Sequence, residues 1–247
     1  AQGYFDYDSQ KSGGLTMSHL RFGKSPIKST YLIKKADFVA CHNPSYIDKY
    51  DMVSDIKPGG VFLLNTIWDM EGLENNLPGQ VKRYIAENEI NFYTINAVDV
   101  AVKVGLGPTR INMVTQSAFF KLANIIPEEE AIDLMKNAAK ASYGKKGDKI
   151  VQMNYDAIDA GAQQIVAIEV PESWKDCADE GLFSPEVKGG RTDVVDFVKN
   201  IQSKVNAQEG NTLPVSAFTE YVDGSTPSGS SAFERRGIAV DIPVWKP

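Results

Sequence analysis

Lys11-Ser12-Gly13-Gly14 and Arg21 are the residues whose types and spacing could do chemistry, and that chemistry is anion binding. Arginine can hold a phosphate through two parallel N–H bonds, and a glycine pair lets backbone amides approach the same anion closely. The stretch continues Leu15-Thr16-Met17-Ser18-His19-Leu20-Arg21-Phe22-Gly23, in which Leu15, Met17, Leu20 and Phe22 give a strand-like apolar pattern. Thr16, Ser18, His19 and Arg21 are then polar teeth on that strand. The same residues also read as a structural strand whose Thr, Ser and His satisfy one another, with Lys11 a surface lysine and Arg21 paired to a carboxylate. Spacing alone leaves both readings open.

Other candidate chemistry is weaker. Gly105-Leu106-Gly107 has the look of a dinucleotide turn, but such a turn follows a first strand and opens a helix, whereas this one follows a helical segment and runs into Pro108. His19 and His42 stand apart, and Cys41 and Cys177 belong to no Cys-x-x-Cys, so no zinc or cluster ligand set is visible. Both histidines and both thiols read as structural. No Gly-x-Ser-x-Gly follows a strand, so a hydrolase triad has no support. No residue is nominated as catalytic.

The elements that would position the candidates alternate between strand and helix. Apolar runs at 15–22, 36–42, 60–66 and 90–96 predict strands, that at 36–42 fitting a strand buried on both faces and that at 60–66 being a second continuous apolar run. Residues 1–12 read as a loop. Helical spacing is seen at 46–53 and 77–89, and from residue 97 to 168 it dominates, with Ile111, Val114, Ala118, Leu122 and Ile125 forming one stripe. Pro127 before Glu128-Glu129-Glu130 suits the start of a second helix, and Asp148 the cap of a third with Val151, Tyr155, Ile158, Ala162 and Ile165 inward. The alternation predicts an α/β fold, a mainly parallel sheet of those four strands flanked by helices. After Pro171 the composition shifts to Gly, Pro, Ser and charge, with a helical pattern over 193–205 and loops over 211–247, predicting a small loop-rich α+β domain.

Length and charge narrow the function class. The 247 residues, 43% hydrophobic and 23% charged, suffice for a substantial core plus a smaller attachment. A net charge of −6 with dispersed cations argues against a nucleic-acid surface. No run reaches a membrane-spanning length and no secretion leader opens the chain, so the expectation is a cytoplasmic protein away from membranes.

Residues 13–27 with Tyr31-Leu32-Ile33 closely resemble the middle of pyruvate:ferredoxin (flavodoxin) oxidoreductases. Ala36 to Asn43, Gly59 to Trp68 and Arg110 to Leu122 resemble the same γ-type module of those enzymes. Ser231-Ala232-Phe233-Glu234-Arg235-Arg236-Gly237-Ile238-Ala239 is similar to the family's Glu-Lys-Arg segment, with Arg235 in place of the lysine. The resemblance implies a γ-type domain over residues 1–170 and a small linker domain over 171–247. It implies a parent reaction in which pyruvate and coenzyme A give acetyl-CoA and CO2, with electrons passed to ferredoxin or flavodoxin.

For this segment the resemblance implies a share in coenzyme A binding, through Lys11, Ser12, Gly13, Gly14 and Arg21, and in positioning the remaining domains of a homodimeric enzyme. Thiamine diphosphate and [4Fe-4S] clusters would be held by other domains, so the chain alone is expected to be inactive. The earlier strand and glycine-rich turn expected of the family, and its cluster cysteines, fall outside this sequence, which the resemblance therefore reads as a fragment. The competing reading is a structural docking module with no ligand of its own.

Overall fold

The structure, a computed structural model, describes residues 1–8, 13–178, 187, 190–234 and 243–246. Packing divides the chain into two units, one formed by Ala1–Ile33 with Phe183–Pro247 and the other by Lys34–Leu182.

The first unit begins with a two-stranded antiparallel ribbon, β1 (Gln2–Tyr7) and β2 (Thr16–Arg21). Two expectations are corrected here. Residues 1–12 do not open as a loop, because Tyr4, Phe5 and Tyr7 are strong strand formers and pair from Gln2↔Arg21 to Tyr7↔Thr16. The strand near 15–22 lies outside the parallel sheet. Joining it there in parallel needs a crossover connection, usually a helix, and residues 22–35 form no regular element.

The second unit carries the α/β fold. Its sheet has the order β3 (Ala36–Cys41), β4 (Ile56–Asn65), β5 (Asn91–Ile95) and β6 (Val166–Ala167), parallel except for the antiparallel β6. The apolar run of β4 explains the layering. Phe62 and Leu64 point into a core with Val81, Ile85, Phe92 and Trp174, while Leu63 between them points into another with Ile95, Val100, Val114 and Ala118. Alternation across two buried faces is why that run carries almost no charge. Each such side chain, nearly inaccessible here, contributes about 1.5–3 kcal/mol of burial.

On the first face lie α1 (Met70–Asn76) and α2 (Gly79–Glu87). The single helix expected over 77–89 starts at Gly79, because Pro78 cannot continue α1. Over 46–53 the helix shrinks to a 3-10 turn at Pro44–Tyr46, with the Asn43 side chain accepting from Ser45 N–H. The second face carries α3 (Ala97–Lys103), α4 (Asn112–Ala123) and α6 (Asp148–Gln163), with α5 (Glu128–Tyr143) packed on α4 and α6. Pro127 sits at the cap of α5 and the three glutamates fill its first turn, where the helix dipole favours them. Asp148 is the first residue of α6, with Gly147 at the cap at φ 97, so no side chain caps that helix.

The first unit resumes with α7 (Thr192–Phe197), a π-helical turn Val198–Gln202 and α8 (Ser203–Asn206). Val194, Phe197, Val198 and Ile201 form a small core, onto which Tyr221 and Phe233 pack. The loop-rich segment is thus anchored by aromatics, through 3-10 turns at Val215–Tyr221 and Ser230–Phe233. Gln202 donates to the Ser230 carbonyl at 3.1 Å beneath them. Ile238 and Arg235 to Ala239 lie outside the described residues.

Candidate functional site

Of the candidate anion-binding residues, Lys11 and Ser12 lie outside the described residues; Gly13, Gly14 and Arg21 are placed. Gly13 has φ 73, a conformation that favours glycine. A Cβ on Gly14 would meet Asp8 Oδ2 at 2.8 Å and Asp8 Cβ at 2.9 Å, so this glycine makes room for an acid. Asp8 N–H donates to the Leu15 carbonyl at 3.0 Å and holds the two strands together.

Register sorts the ribbon into two faces. Gln2, Tyr4, Asp6, Met17, His19 and Arg21 share one; Gly3, Phe5, Tyr7, Thr16, Ser18 and Leu20 share the other. On the first face Arg21 Nη2 donates to Gln2 Oε1 and, at 2.5 Å, to the Ser29 carbonyl, while its guanidinium lies 3.9 Å from the centre of the Tyr31 ring. Its partners are thus an amide, a carbonyl and a ring, rather than the carboxylate of the structural reading. His19 Nδ1 accepts from Ile33 N–H at 3.1 Å, which leaves the proton of a neutral ring on Nε2. That Nε2 is buried and has no hydrogen-bond partner among the described residues. The structure therefore places Arg21 on the same ribbon face as an unsatisfied His19 donor, as their two-residue spacing on one strand allows. Gln2, Ser29 and Tyr31 were missed because they come from a segment read as loop and from a connection.

In open α/β sheets ligands bind outside the carboxyl ends of the strands. Here that end is tied by side-chain amides. Asn65 Nδ2 donates to the His42 carbonyl at 2.9 Å, and Asn65 Oδ1 accepts from Ala97 N–H at 2.9 Å, so one residue joins the ends of β3 and β4 to the start of α3. Asn65→Ala should cost about 1–3 kcal/mol, read as a lower midpoint of denaturant unfolding, because the buried Ala97 N–H loses its acceptor. Asn96 caps α3 by accepting from Asp99 N–H at 3.0 Å. Cys41 Sγ donates to the Asn43 carbonyl, and burial pushes its thiol up to about 12, so it is no ready nucleophile. His42 is exposed over the residue as a whole, yet atoms packed round its ring hold the imidazole below its ordinary basicity by desolvation.

A cavity of about 140 Å³ lined by Asp51, Gln80, Arg83, Tyr84 and Glu87 is smaller than the ~300 Å³ at which small-molecule sites begin. Gly105 and Gly107 close α3, with both Leu106 and Gly107 N–H groups bonded to the Ala101 carbonyl, so this pair ends a helix and opens none. Among the described residues no group of three or more His, Cys, Asp or Glu could hold a metal ion, and no helix is long and apolar enough to cross a membrane.

Comparison with known proteins gives this geometry its context. A sequence model described as "Pyruvate ferredoxin/flavodoxin oxidoreductase" matches residues 1–164, and one described as a domain of unknown function matches residues 186–239. A pyruvate-flavodoxin oxidoreductase of Enterobacter agglomerans is 52% identical over all of this chain and 20% of its own length. A pyruvate:ferredoxin oxidoreductase of Moorella thermoacetica is 49% identical over the same shares, and a pyruvate dehydrogenase [NADP(+)] of Cryptosporidium parvum 44% identical over 98% of this chain and 14% of its own. The chain thus spans about a fifth of the length of these relatives, or less. The crystal structure of the PORC subunit of pyruvate oxidoreductase from Thermotoga maritima superposes with a TM-score of 0.50 at 15% identity, covering 68% of this chain and 81% of that one, a likeness of fold. With residues 1–164 matched by the family's own model and relatives near half identity along the full chain, this protein belongs to the pyruvate ferredoxin/flavodoxin oxidoreductase family.

Proposed function

We propose that this chain is the γ-type module, residues 1–170, and the following linker domain, residues 171–247, of an enzyme that oxidatively decarboxylates pyruvate with coenzyme A. The electrons would leave through ferredoxin or flavodoxin, and the working enzyme would be a cytoplasmic homodimer. The observation that carries this reading is identity of about one half to oxidoreductases named for pyruvate, sustained over the whole chain. Cluster ligation by this chain is not part of the proposal: with two cysteines, one a buried thiol, the residues do not fit a [4Fe-4S] site. Thiamine chemistry is likewise assigned to the remaining domains.

The module's own contribution would be to the phosphates of coenzyme A, through Lys11, Ser12, Gly13, Gly14 and Arg21. What supports this is a guanidinium on the same ribbon face as a buried imidazole donor in want of an acceptor. A phosphate there must use Nε and Nη1 of Arg21 or displace Gln2 and Ser29. The purely structural reading also has an observation in its favour, since Arg21 is held by three local partners and Gly14 packs on an acid.

The test is a chimera in which this chain replaces the corresponding segment of the Enterobacter agglomerans relative. Retained coenzyme A-dependent pyruvate oxidation is expected; a folded but inert chimera would overturn the reading. In that chimera Arg21→Ala should weaken coenzyme A by roughly ten- to a hundredfold, the loss of one charge-assisted phosphate contact, while pyruvate decarboxylation without coenzyme A continues. Unchanged affinity, or equal loss of both steps, would leave Arg21 as the clamp on Ser29 and Tyr31.

A further inference from the structure

Residues 27–33 are held to the ribbon by side chains rather than by a ladder. Among the described residues none of 27–33 makes a backbone–backbone hydrogen bond, and 28–32 are exposed. A segment so built lies at the low end of local stability. Two side chains of β2 hold it down. Arg21 Nη2 donates to the Ser29 carbonyl at 2.5 Å and the guanidinium lies 3.9 Å from the centre of the Tyr31 ring, while His19 Nδ1 accepts from Ile33 N–H at 3.1 Å. The spacing matches, since residues 29, 31 and 33 meet alternate positions on one face of β2. Only part of that face is covered: Tyr4 and Met17 on it are 47% and 38% exposed.

The two holds differ in kind. A guanidinium keeps its charge throughout the range in which proteins fold, whereas an imidazole changes charge between about pH 5 and 8. The hold on Ile33 exists only for the neutral ring, whose Nδ1 lone pair takes the amide proton. On protonation Nδ1 becomes a donor facing another donor, and Nε2–H is already buried without a partner among the described residues. The ring then has two donors and no acceptor, a cost that opening to water removes. Charge acts in the same direction. Arg21 stands two residues along the same face, and the chain laid over it carries Lys28 before Tyr31 and Lys34 after Ile33. On β1, Tyr4 lies directly opposite His19, and Asp6, the one acid among the paired residues of that face, lies diagonally across and is no partner of Nε2.

We propose that residues 27–33 form a pH-sensitive strap, closed on the ribbon while His19 is neutral and released at Ile33 when the ring takes up a proton. The bonded form is the neutral one, so closure is kept at the alkaline end and lost as pH falls. Release leaves the strap on Arg21 alone. Because the Ser29 carbonyl occupies Arg21 Nη2, a strap that lifts further frees the guanidinium for an anion. That consequence rests on the anion reading given above, whereas the strap itself does not.

Hydrogen exchange in the chimera described above tests the strap, with the Ile33 amide resolved by electron-transfer fragmentation of its peptide and rates corrected for the intrinsic effect of pH. Protection of Ile33 should fall by about tenfold between about pH 8 and about pH 5.5, the loss of one hydrogen bond. Amides of the parallel strand at 61–65 should stay protected, which shows that the fold is intact. In His19→Asn, whose Oδ1 replaces Nδ1 as an acceptor that does not titrate, the pH dependence should vanish. No fall in the unmutated chimera, a fall shared with residues 61–65, or an equal fall in His19→Asn would each overturn the proposal. The measurement is made without coenzyme A, so its outcome is separate from that of the anion reading, which coenzyme A affinity in Arg21→Ala decides.

Discussion

Trp174→Ala is expected to cost about 3–5 kcal/mol of unfolding free energy, the range for emptying a buried tryptophan site. Trp174 has no solvent exposure, lies 6.4 Å from the Phe92 ring and donates from Nε1 to Glu74 Oε2 at 2.5 Å. It is the residue through which the 3-10 turn Glu172–Asp176 enters the core of the parallel sheet, beside the Lys82 amine that donates to the Glu74 carbonyl at 2.6 Å. Alanine removes the ring and the donor together. Trp174→Phe keeps most of the volume and should lose about 1 kcal/mol for the hydrogen bond. Denaturant midpoints for both variants make the measurement; a loss below about 1 kcal/mol for alanine would mean the turn is not part of the cooperative core.

The Glu74 carboxyl adds a pH signature. The Trp174 hydrogen bond, then Lys82, holds its pKa below the usual carboxylate value. A depressed folded-state pKa stabilises above the ordinary value, and that contribution is lost as pH falls through the folded one. Trp174→Phe should therefore flatten part of the acid limb of the stability profile, an effect kept small by the exposure of Glu74.

Gly161→Val is the second large expected effect, about 3 kcal/mol, from overpacking where α6 crosses α4. A Cβ at Gly161 would stand 2.4 Å from the Val114 carbonyl oxygen and 2.9 Å from Val114 Cα, both backbone atoms that cannot swing aside. The two helices are also tied there by Ser117 Oγ, which donates to the Ile158 carbonyl at 2.6 Å. Alanine separates the opposing effects. It gains about 1 kcal/mol of helix propensity over glycine and meets an overpacking cost of about 1–3 kcal/mol, so it too should destabilise, by less than valine. Gly144, whose added Cβ would meet nothing within 4 Å, is the control: Gly144→Ala should be neutral or slightly stabilising. A stable Gly161→Val variant would show that α4 and α6 can separate freely.

Local pattern was enough wherever the physics is local. The run Val61–Leu64 is a strand lying between two buried clusters, with Ala36–Cys41 and Asn91–Ile95 paired to either side, and a strand covered on both faces has no place for polar alternation. The stripe from Ile111 to Leu122 set α4, and the glutamates after Pro127 set the start of α5, because both follow from periodicity and helix-end electrostatics. The family likeness was also legible in the order of residues.

Pairing was not. Which edge the Thr16–Arg21 strand would join depends on the presence of a crossover helix and on whether an earlier strand is at hand, and Gln2–Tyr7, read from the sequence as part of a loop, supplied the partner. Period-two alternation states that two faces exist but never which one is covered. Only the tertiary structure turned Arg21 and His19 toward Ser29, Tyr31 and Ile33 and left Phe5 and Tyr7 outward. The sequence by itself therefore determined the helices α4, α5 and α6, the three parallel strands and the family, all encoded within short windows. The tertiary structure decided the ribbon, the partners of Arg21 and the tie made by Asn65, because each depends on groups brought together from distant positions by packing, about which local propensity carries no information.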